Sequence, residues 1–222
     1  SSEAKQQAAG KRDAGARGQV TGGQQMSAME ELVADILCNA GLRRADIRTR
    51  AALELPGHFR ATKKWDLLVV SEGRLVLAME LKSQAGKSIG NNINNRSEEA
   101  VGSAKDIWTA YREGRFGAGT PPFLGFLFLL EDRASVRQPV SNKAPHFPVD
   151  PLFDGASYAR RYELLCRRLM LERLYSATCL LMATNDNPTR ITEPADDLSF
   201  ASFVAAMRGH VVAFAEGTRL AR

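Results

Sequence analysis

The chain has 222 residues, 44% of them hydrophobic, and a formal net charge of +5. The apolar content is ample for one folded domain, and the modest positive charge permits a nucleic acid partner without requiring one. The longest apolar run, residues 123–130, is far too short to cross a bilayer, so no membrane partner is expected. The three cysteines are few, odd in number and lie in apolar patterns, which predicts buried thiols in a reducing cytoplasm and not a disulfide framework. Their spacing is not that of a metal site.

The first part of the chain divides into a polar segment and a helix. Residues 1–23 combine Gly, Gln and Ala with basic residues, so we expect a basic N-terminal arm followed by a single domain over residues 24–222. A helix is predicted from Ser27, because apolar residues then recur at helical spacing until Gly41 ends it. Glu31 lies off the apolar stripe of this helix.

Two apolar runs joined by a short polar turn predict a β-hairpin over residues 63–84. Asp66 lies on the first strand, and Glu80 and Lys82 lie two apart on the second, so the last two share a face. A three-residue loop, Glu72 to Arg74, places Asp66 opposite Glu80 on that face. An even-length loop would place Asp66 on the other face unless the ladder contained a bulge. The sequence therefore predicts either an odd loop or a bulge.

The remaining elements, added to the hairpin, predict an α/β fold in which a central mixed sheet is covered by helices on both faces. In chain order they are a strand over residues 46–55, a loop over 91–96, a helix from its N-cap Ser97 to Gly114, a strand over 123–130, an irregular loop over 131–155, a helix over 157–175, a strand over 177–184 and a helix from about 196 to 216.

The polar residues of the hairpin form a candidate metal-dependent nuclease site. Asp66 and Glu80 supply the hard oxygen ligands that Mg²⁺ prefers, and the backbone carbonyl of Leu81 is placed to add a third. Lys82 is expected to orient and help deprotonate the attacking water and to offset negative charge. Glu31 is the candidate for an outer ligand or water-orienting carboxylate. An E-x-K pair alone is more often an ordinary charged pair at a strand end, but Asp66 on the preceding strand favours the metal site.

Two regions carry residue types suited to DNA contacts. Asn pairs well with adenine and Arg with guanine, and the segment directly after the catalytic strand contains Asn91, Asn92, Asn94, Asn95 and Arg96. Candidates for phosphate contacts or base readout around the long loop and the next helix are Lys143, His146, Tyr158, Arg160 and Arg161. Asn is also favoured in turns and caps, so about half of the asparagines are expected to be structural only. Isolated histidines favour structural or surface roles over metal binding, and this applies to His58, His146 and His210.

Asp66 followed by Glu80-Leu81-Lys82 on this background resembles the PD-(D/E)xK nuclease superfamily, with Trp65 where the superfamily has Pro. Four longer stretches resemble the XhoI family of type II restriction endonucleases. They are KQQAAGKRDAGARG at 5–18, WDLLVV at 65–70, MELKSQAGKSIGNNINNRSEEAVGSAKDIW at 79–108 and PHFPVDPLFDGASYARRYELLCRRLMLERLY at 145–175. The resemblance implies a PD-(D/E)xK restriction-endonuclease-like fold with a central mixed β-sheet flanked by helices.

The same resemblance implies a homodimer that cuts both strands of double-stranded DNA at a palindrome, CTCGAG, in the presence of Mg²⁺, leaving 5′ overhangs. It assigns the catalytic roles to Asp66, Glu80 and Lys82, and it implies a partner DNA methyltransferase that protects the host's own sites. Three alternatives stay open. They are a structure-selective nuclease of the same superfamily that acts in repair or on junctions, a catalytically inactive DNA-binding protein of the same fold, and an α/β interaction domain with a basic surface.

Overall fold

The computed structural model of the chain describes residues 26–86 and 89–220. Within these ranges it leaves out the side chains of Asn91, Arg219 and Leu220. The basic arm expected over residues 1–23 lies outside the described residues, and its separation from one domain over 24–222 stays a prediction. No helix among the described residues is long and apolar enough to cross a membrane.

The described residues form helices, strands and three short 3₁₀ turns. The helices are α1 (residues 26–39), α2 (Ile89–Arg112), α3 (Ala134–Arg137), α4 (Tyr158–Leu171) and α5 (Phe200–Leu220). The strands are β1 (Ile47–Arg48), β2 (Glu54–Pro56), β3 (Thr62–Lys64), β4 (Leu67–Ser71), β5 (Arg74–Gln84), β6 (Phe123–Glu131), β7 (Ala177–Ala183) and β8 (Ile191–Thr192). The 3₁₀ turns are Arg44–Asp46, Pro151–Phe153 and Asp196–Leu198.

Six strands form one mixed sheet in the order β1-β4-β5-β6-β7-β8. The central strands β5, β6 and β7 are parallel, and the outer pairs are antiparallel. Parallel strands are normally covered on both faces, which explains why their sequences are apolar at consecutive positions. The observed sheet with helices on both faces confirms the expected α/β architecture and is consistent with a restriction-endonuclease-like fold.

The sheet separates two apolar cores. Phe126 and Phe128 point to one side, where α2 and α4 pack, while Leu127 and Leu129 point to the other, where α1 and α5 pack. Successive side chains of a strand alternate between faces, so one apolar run supplies both cores. The helix expected from Ser157 is confirmed, because the Ser157 hydroxyl accepts a hydrogen bond from the Arg160 amide and caps α4.

The hairpin formed by β4 and β5 differs from the expected three-residue loop. Its turn contains only Glu72 and Gly73, at φ values of 51° and 72°, and Ser71 pairs with Arg74. A two-residue hairpin turn of type I′ requires positive φ at both central positions. A bulge between Val69 and Val70 then shifts the register. The bulge was the second of the two predicted ways to keep Asp66 and Glu80 on one face.

Two other expectations are wrong for local reasons. Residues 91–96 do not form a loop but belong to α2, and the Ser97 hydroxyl donates to the Ile93 carbonyl instead of capping the helix. Buried Ile89 and Ile93 stabilise these turns, because tertiary packing outweighs the weak helix propensity of Asn. The strand expected over residues 46–55 is interrupted near Ala52, where φ is 55°, so its ends belong to different sheets.

Strands β2 and β3 form a separate two-stranded sheet, and we call residues 54–64 the side hairpin. Buried Asp106 of α2 anchors its turn by accepting hydrogen bonds from the amides of His58 at 2.7 Å and Phe59 at 2.8 Å. Arg60 Nε lies 2.9 Å from the same carboxylate. A Cβ on Gly57 would lie 2.6 Å from Asp106 Oδ2, so this approach requires glycine. The side hairpin is thereby fixed on the α2 face.

His210 on α5 gives the folded chain a defined response to pH. Its Nε2 lies 3.0 Å from the Val76 carbonyl oxygen, and burial lowers the pKa of the imidazole below its usual 6.5. The unfolded chain therefore binds a proton at His210 more readily than the folded chain, so the stability that the neutral imidazole preserves is lost as the pH falls below about 6.5.

We expect the melting temperature of His210→Gln, which can still donate to Val76, to fall less than that of the unchanged protein between about pH 7.5 and pH 5.5. Equal losses in the two proteins would contradict this.

Candidate active site

Two acidic side chains converge at the start of β4 and the later part of β5. Asp66 immediately precedes β4, and Glu80 and Lys82 lie on β5. The Lys82 Nζ lies 2.9 Å from Glu80 Oε1 and 3.6 Å from Asp66 Oδ2. One ammonium therefore bridges both carboxylates on one side of the sheet.

The backbone at Leu81 orients the Asp66 carboxylate. The Leu81 amide donates to Asp66 Oδ2 at 2.8 Å, and the Met79 carbonyl accepts from the Asp66 amide at 3.2 Å. In an antiparallel ladder the N–H and C=O of one residue point to the same neighbouring strand. The Leu81 carbonyl therefore points to the edge of β5 that faces β4, at the level of the chain just before β4 begins.

Glu80 is the most enclosed charge of the cluster, with a side chain only 3% exposed. Two ammonium groups contact its Oε1, because Lys63 Nζ lies at 3.2 Å in addition to Lys82. The Tyr175 hydroxyl lies 3.3 Å from Oε2 and 3.2 Å from the Ala100 carbonyl. Burial would raise the pKa of Glu80, but the charges of Lys82 and Lys63 outweigh it and hold the pKa below its usual range. Glu80 is therefore a charged, fully partnered carboxylate at neutral pH.

Lys82 stays a positively charged group in this setting. Burial favours its neutral form, but the nearby Glu80 and Asp66 carboxylates outweigh burial and raise the pKa of the ammonium. Its side chain is 25% exposed and that of Asp66 is 33% exposed, so the cluster opens to solvent on this side. A substrate phosphate can approach from there.

Lys63 belongs to this cluster although the sequence reasoning did not include it. It lies on β3 of the side hairpin, and its ammonium sits 4.5 Å from the ring centroid of Trp65. The signal was available in the sequence, because Lys63 and Trp65 are two residues apart on an extended segment and so share a face. What the sequence could not give was the position of the side hairpin relative to β5.

The carboxylate of α1 that interacts with Asp66 is Glu30 and not Glu31. Both oxygens of Glu31 pair with arginines, Arg44 at 3.0 Å and Arg50 at 3.4 Å. Burial raises the pKa of Glu30, and the negative charge of Asp66 is the next largest cause. Successive residues of a helix point about 100° apart, so Glu30 and Glu31 have different surroundings although they are neighbours.

The oxygen atoms of this cluster suit a magnesium ion. Mg²⁺ takes one or two protein carboxylates, retains several waters and binds substrate phosphate oxygens. Asp66, Glu80 and the Leu81 carbonyl offer such a set. Within residues 26–86 and 89–220, no group of three or more His, Cys, Asp or Glu side chains gathers at one point, so a more enclosed metal cage is absent there.

The asparagine-rich start of α2 lies beside this cluster. Asn92 Nδ2 donates to Gln84 Oε1 at 3.2 Å, whereas Asn94 and Asn95 are exposed. Arg96 pairs with Glu99 at 2.5 Å, and its positive charge acts to lower the pKa of Lys82, so it lies near that lysine. The side chain of Asn91 lies outside the described residues.

The second group of DNA-contact candidates divides into exposed and engaged side chains. Lys143 and His146 are exposed on the irregular segment before α4. Arg161 donates to the Ala156 and Val140 carbonyls and to Asn142 Oδ1, contacts that favour a structural role. The other two candidates also have partners. Arg160 pairs with Glu163 at 2.6 Å, and the Tyr158 hydroxyl occupies the space where a Cβ of Gly90 would lie.

This fold and site define a nuclease of the restriction-endonuclease type, and the comparisons agree. Residues 5–193 match the restriction endonuclease XhoI family. The type II restriction enzyme BstVI of Geobacillus stearothermophilus is 47% identical over 212 residues, which cover 92% of this chain and 94% of BstVI. XhoI of Xanthomonas vasicola is 49% identical over 160 residues, 71% of this chain and 64% of XhoI, and AbrI of Azospirillum brasilense is 52% identical over 144 residues, 64% of each chain. No solved structure matches the chain significantly.

The chain belongs to the XhoI family of restriction endonucleases. It is a type II restriction enzyme, that is, a site-specific endodeoxyribonuclease, and restriction enzymes act on double-stranded DNA. The resemblance seen in the sequence and the enzyme class inferred from it are confirmed.

Two buried tyrosines provide a matched test of the Glu80 environment. The Tyr175 hydroxyl contacts Glu80, whereas the equally buried Tyr162 hydroxyl has no hydrogen-bond partner among the described residues. We expect Tyr175→Phe to lower the free energy of unfolding by about 1 to 2 kcal/mol, because a buried carboxylate loses a donor. Tyr162→Phe should change it by less than about 0.5 kcal/mol or increase it, since its hydroxyl is buried unpaired. Urea denaturation measures both, and equal losses would contradict this account.

Proposed function

We propose that this restriction enzyme hydrolyses one phosphodiester bond in each strand of a short palindrome, CTCGAG, in an Mg²⁺-dependent reaction that leaves 5′ overhangs. The observation that carries the proposal is the convergence of Asp66 and Glu80 on Lys82 beside the Leu81 carbonyl. The target sequence and the cut position rest on the resemblance to the XhoI family. Magnesium supplies charge stabilisation for the phosphate and lowers the pKa of a bound water.

In this mechanism each residue of the cluster has a distinct task. Asp66, Glu80 and the Leu81 carbonyl hold the metal, and the Leu81 amide keeps the Asp66 carboxylate in place through a 2.8 Å hydrogen bond. Lys82 donates to the attacking water, orients it and offsets charge that develops on the phosphate. The outer carboxylate first assigned to Glu31 is reassigned to Glu30, because Glu31 is engaged with arginines.

We propose further that two copies of the chain bind the palindrome. A two-fold axis in the protein matches the two-fold axis of a palindromic duplex, so a homodimer places one active site on each strand. DNA contacts come from the start of α2, from the segment before α4 and from the first turn of α4, because the candidates of suitable residue type lie there. The proposed contact residues are Asn91, Asn92, Asn94, Asn95, Arg96, Lys143, His146, Tyr158 and Arg160, whereas Arg161 is given a structural role because it donates to Ala156, Val140 and Asn142.

The proposed biological setting is a restriction system in the cytoplasm. A cognate DNA methyltransferase protects the same sequence in the host genome and acts without forming a stable complex with the enzyme. Three free cysteines, Cys38, Cys166 and Cys179, agree with a reducing compartment.

The test is digestion of a plasmid that contains one CTCGAG site. We expect linear product with Mg²⁺ and none with chelator, and a rate at least about 100-fold lower for Asp66→Ala, because a metal ligand is lost. Asp35→Ala is the control, since this carboxylate is exposed on α1. The reaction is followed on agarose gels.

Other outcomes would contradict separate parts of the proposal. Discrete cuts elsewhere would reject the target and keep the mechanism. A preference for branched DNA would favour a structure-selective nuclease, and DNA binding without cleavage would favour an inactive binding protein. Cleavage by Asp66→Ala at an unchanged rate would reject the site itself.

A further inference from the structure

The least expected feature of the cluster is its second lysine. Lys63 and Lys82 contact the same oxygen, Glu80 Oε1, at 3.2 Å and 2.9 Å. One ammonium is enough to balance one buried carboxylate, and Lys82 also faces Asp66. Lys63 therefore supplies the second positive charge of the cluster, which balances the second carboxylate.

The position of Lys63 is built into the fold. Its side chain is only 12% exposed and its ammonium lies over the ring of Trp65, which is itself buried. The Trp65 amide donates to the Leu53 carbonyl at 2.9 Å, and Leu55 of β2 pairs with Lys63 in β3. A lysine loses side-chain entropy when it is fixed, and desolvation adds to that cost. An ammonium held in this way is suited to a task at the site.

The charge balance indicates what that task is. Two carboxylates, Asp66 and Glu80, face two ammonium groups, Lys63 and Lys82, so the cluster is neutral without a metal. A divalent cation at Glu80 adds two positive charges, and repulsion at these distances is strong in a partly buried site. The ammonium groups then need another anion. The scissile phosphodiester is the anion that a nuclease brings to this place, and it gains negative charge in the transition state.

We propose that Lys63 is a further catalytic residue of this endonuclease: its ammonium leaves Glu80 when the metal binds and contacts a non-bridging oxygen of the scissile phosphate. This inference rests on the proposed metal-dependent mechanism. Lys82 keeps its position beside Asp66 and the attacking water, so the two lysines divide the work between nucleophile and phosphate. The Trp65 ring stabilises the Lys63 ammonium both when it contacts Glu80 and when it contacts the phosphate, because an indole ring attracts a cation although the ring itself is uncharged.

The test compares Lys63→Met with Lys105→Met, which removes an exposed lysine from α2. We expect single-turnover cleavage at saturating Mg²⁺ to fall about 100-fold for Lys63→Met and to stay unchanged for Lys105→Met, because an electrostatic donor to the transition state is lost. Calorimetric titration of the DNA-free protein with Mn²⁺ should show tighter binding for Lys63→Met, since a competing cation is removed. Lys63→Gln, which keeps a polar end, should give the same pattern if Lys63→Met folds poorly.

Two results would overturn the proposal. Unchanged single-turnover cleavage by both Lys63 variants would show that the ammonium does not contact the reacting phosphate. Slower cleavage that is restored by more metal, together with weaker Mn²⁺ binding, would show that Lys63 only positions Glu80. If the unchanged protein itself fails to cleave with Mg²⁺, the proposed function fails, and the Mn²⁺ titration still decides whether Lys63 competes for Glu80.

Discussion

The buried carboxylate of Glu80 is the constraint on which the site depends. A charge with a 3% exposed side chain is unstable inside a protein unless opposite charges and hydrogen bonds surround it. Lys82, Lys63 and Tyr175 provide them from β5, β3 and the segment before β7. Because these partners come from separate parts of the chain, the charge of Glu80 links the main sheet, the side hairpin and the segment after α4 into one arrangement.

Backbone geometry makes this convergence possible. A two-residue turn alone would have put Asp66 and Glu80 on opposite faces, and the bulge at Val69 and Val70 restores them to the same side. Asp106 fixes the side hairpin on α2 through its contacts with the turn backbone, and this brings Lys63 to Glu80. The candidate active site therefore depends on one irregularity in a ladder and one anchored turn, and neither of them contributes a side chain to the cluster.

The central strands and the pairing of Glu80 with Lys82 could be predicted from the sequence, because apolar runs and alternation along a strand are local properties. Contacts between distant segments could not. Lys63 meets Glu80 across 17 positions through a hairpin whose placement depends on a buried aspartate elsewhere. The choice between Glu30 and Glu31 depends on how α1 is rotated on the sheet. Residues 91–96 were misjudged because the packing of α2 outweighs the turn preference of Asn.

Family membership gives the reaction class, and in the route proposed for it the Lys63 ammonium leaves Glu80 when the metal binds, while Lys82 stays beside Asp66. Anomalous diffraction from crystals grown with Mn²⁺ tests this claim most directly, because it locates the ion and the lysines together. The account predicts an ion held by the Asp66 and Glu80 carboxylates and the Leu81 carbonyl, with the Lys63 ammonium withdrawn from Glu80. An ion bound elsewhere, with Lys63 and Lys82 still paired to Glu80, would contradict it.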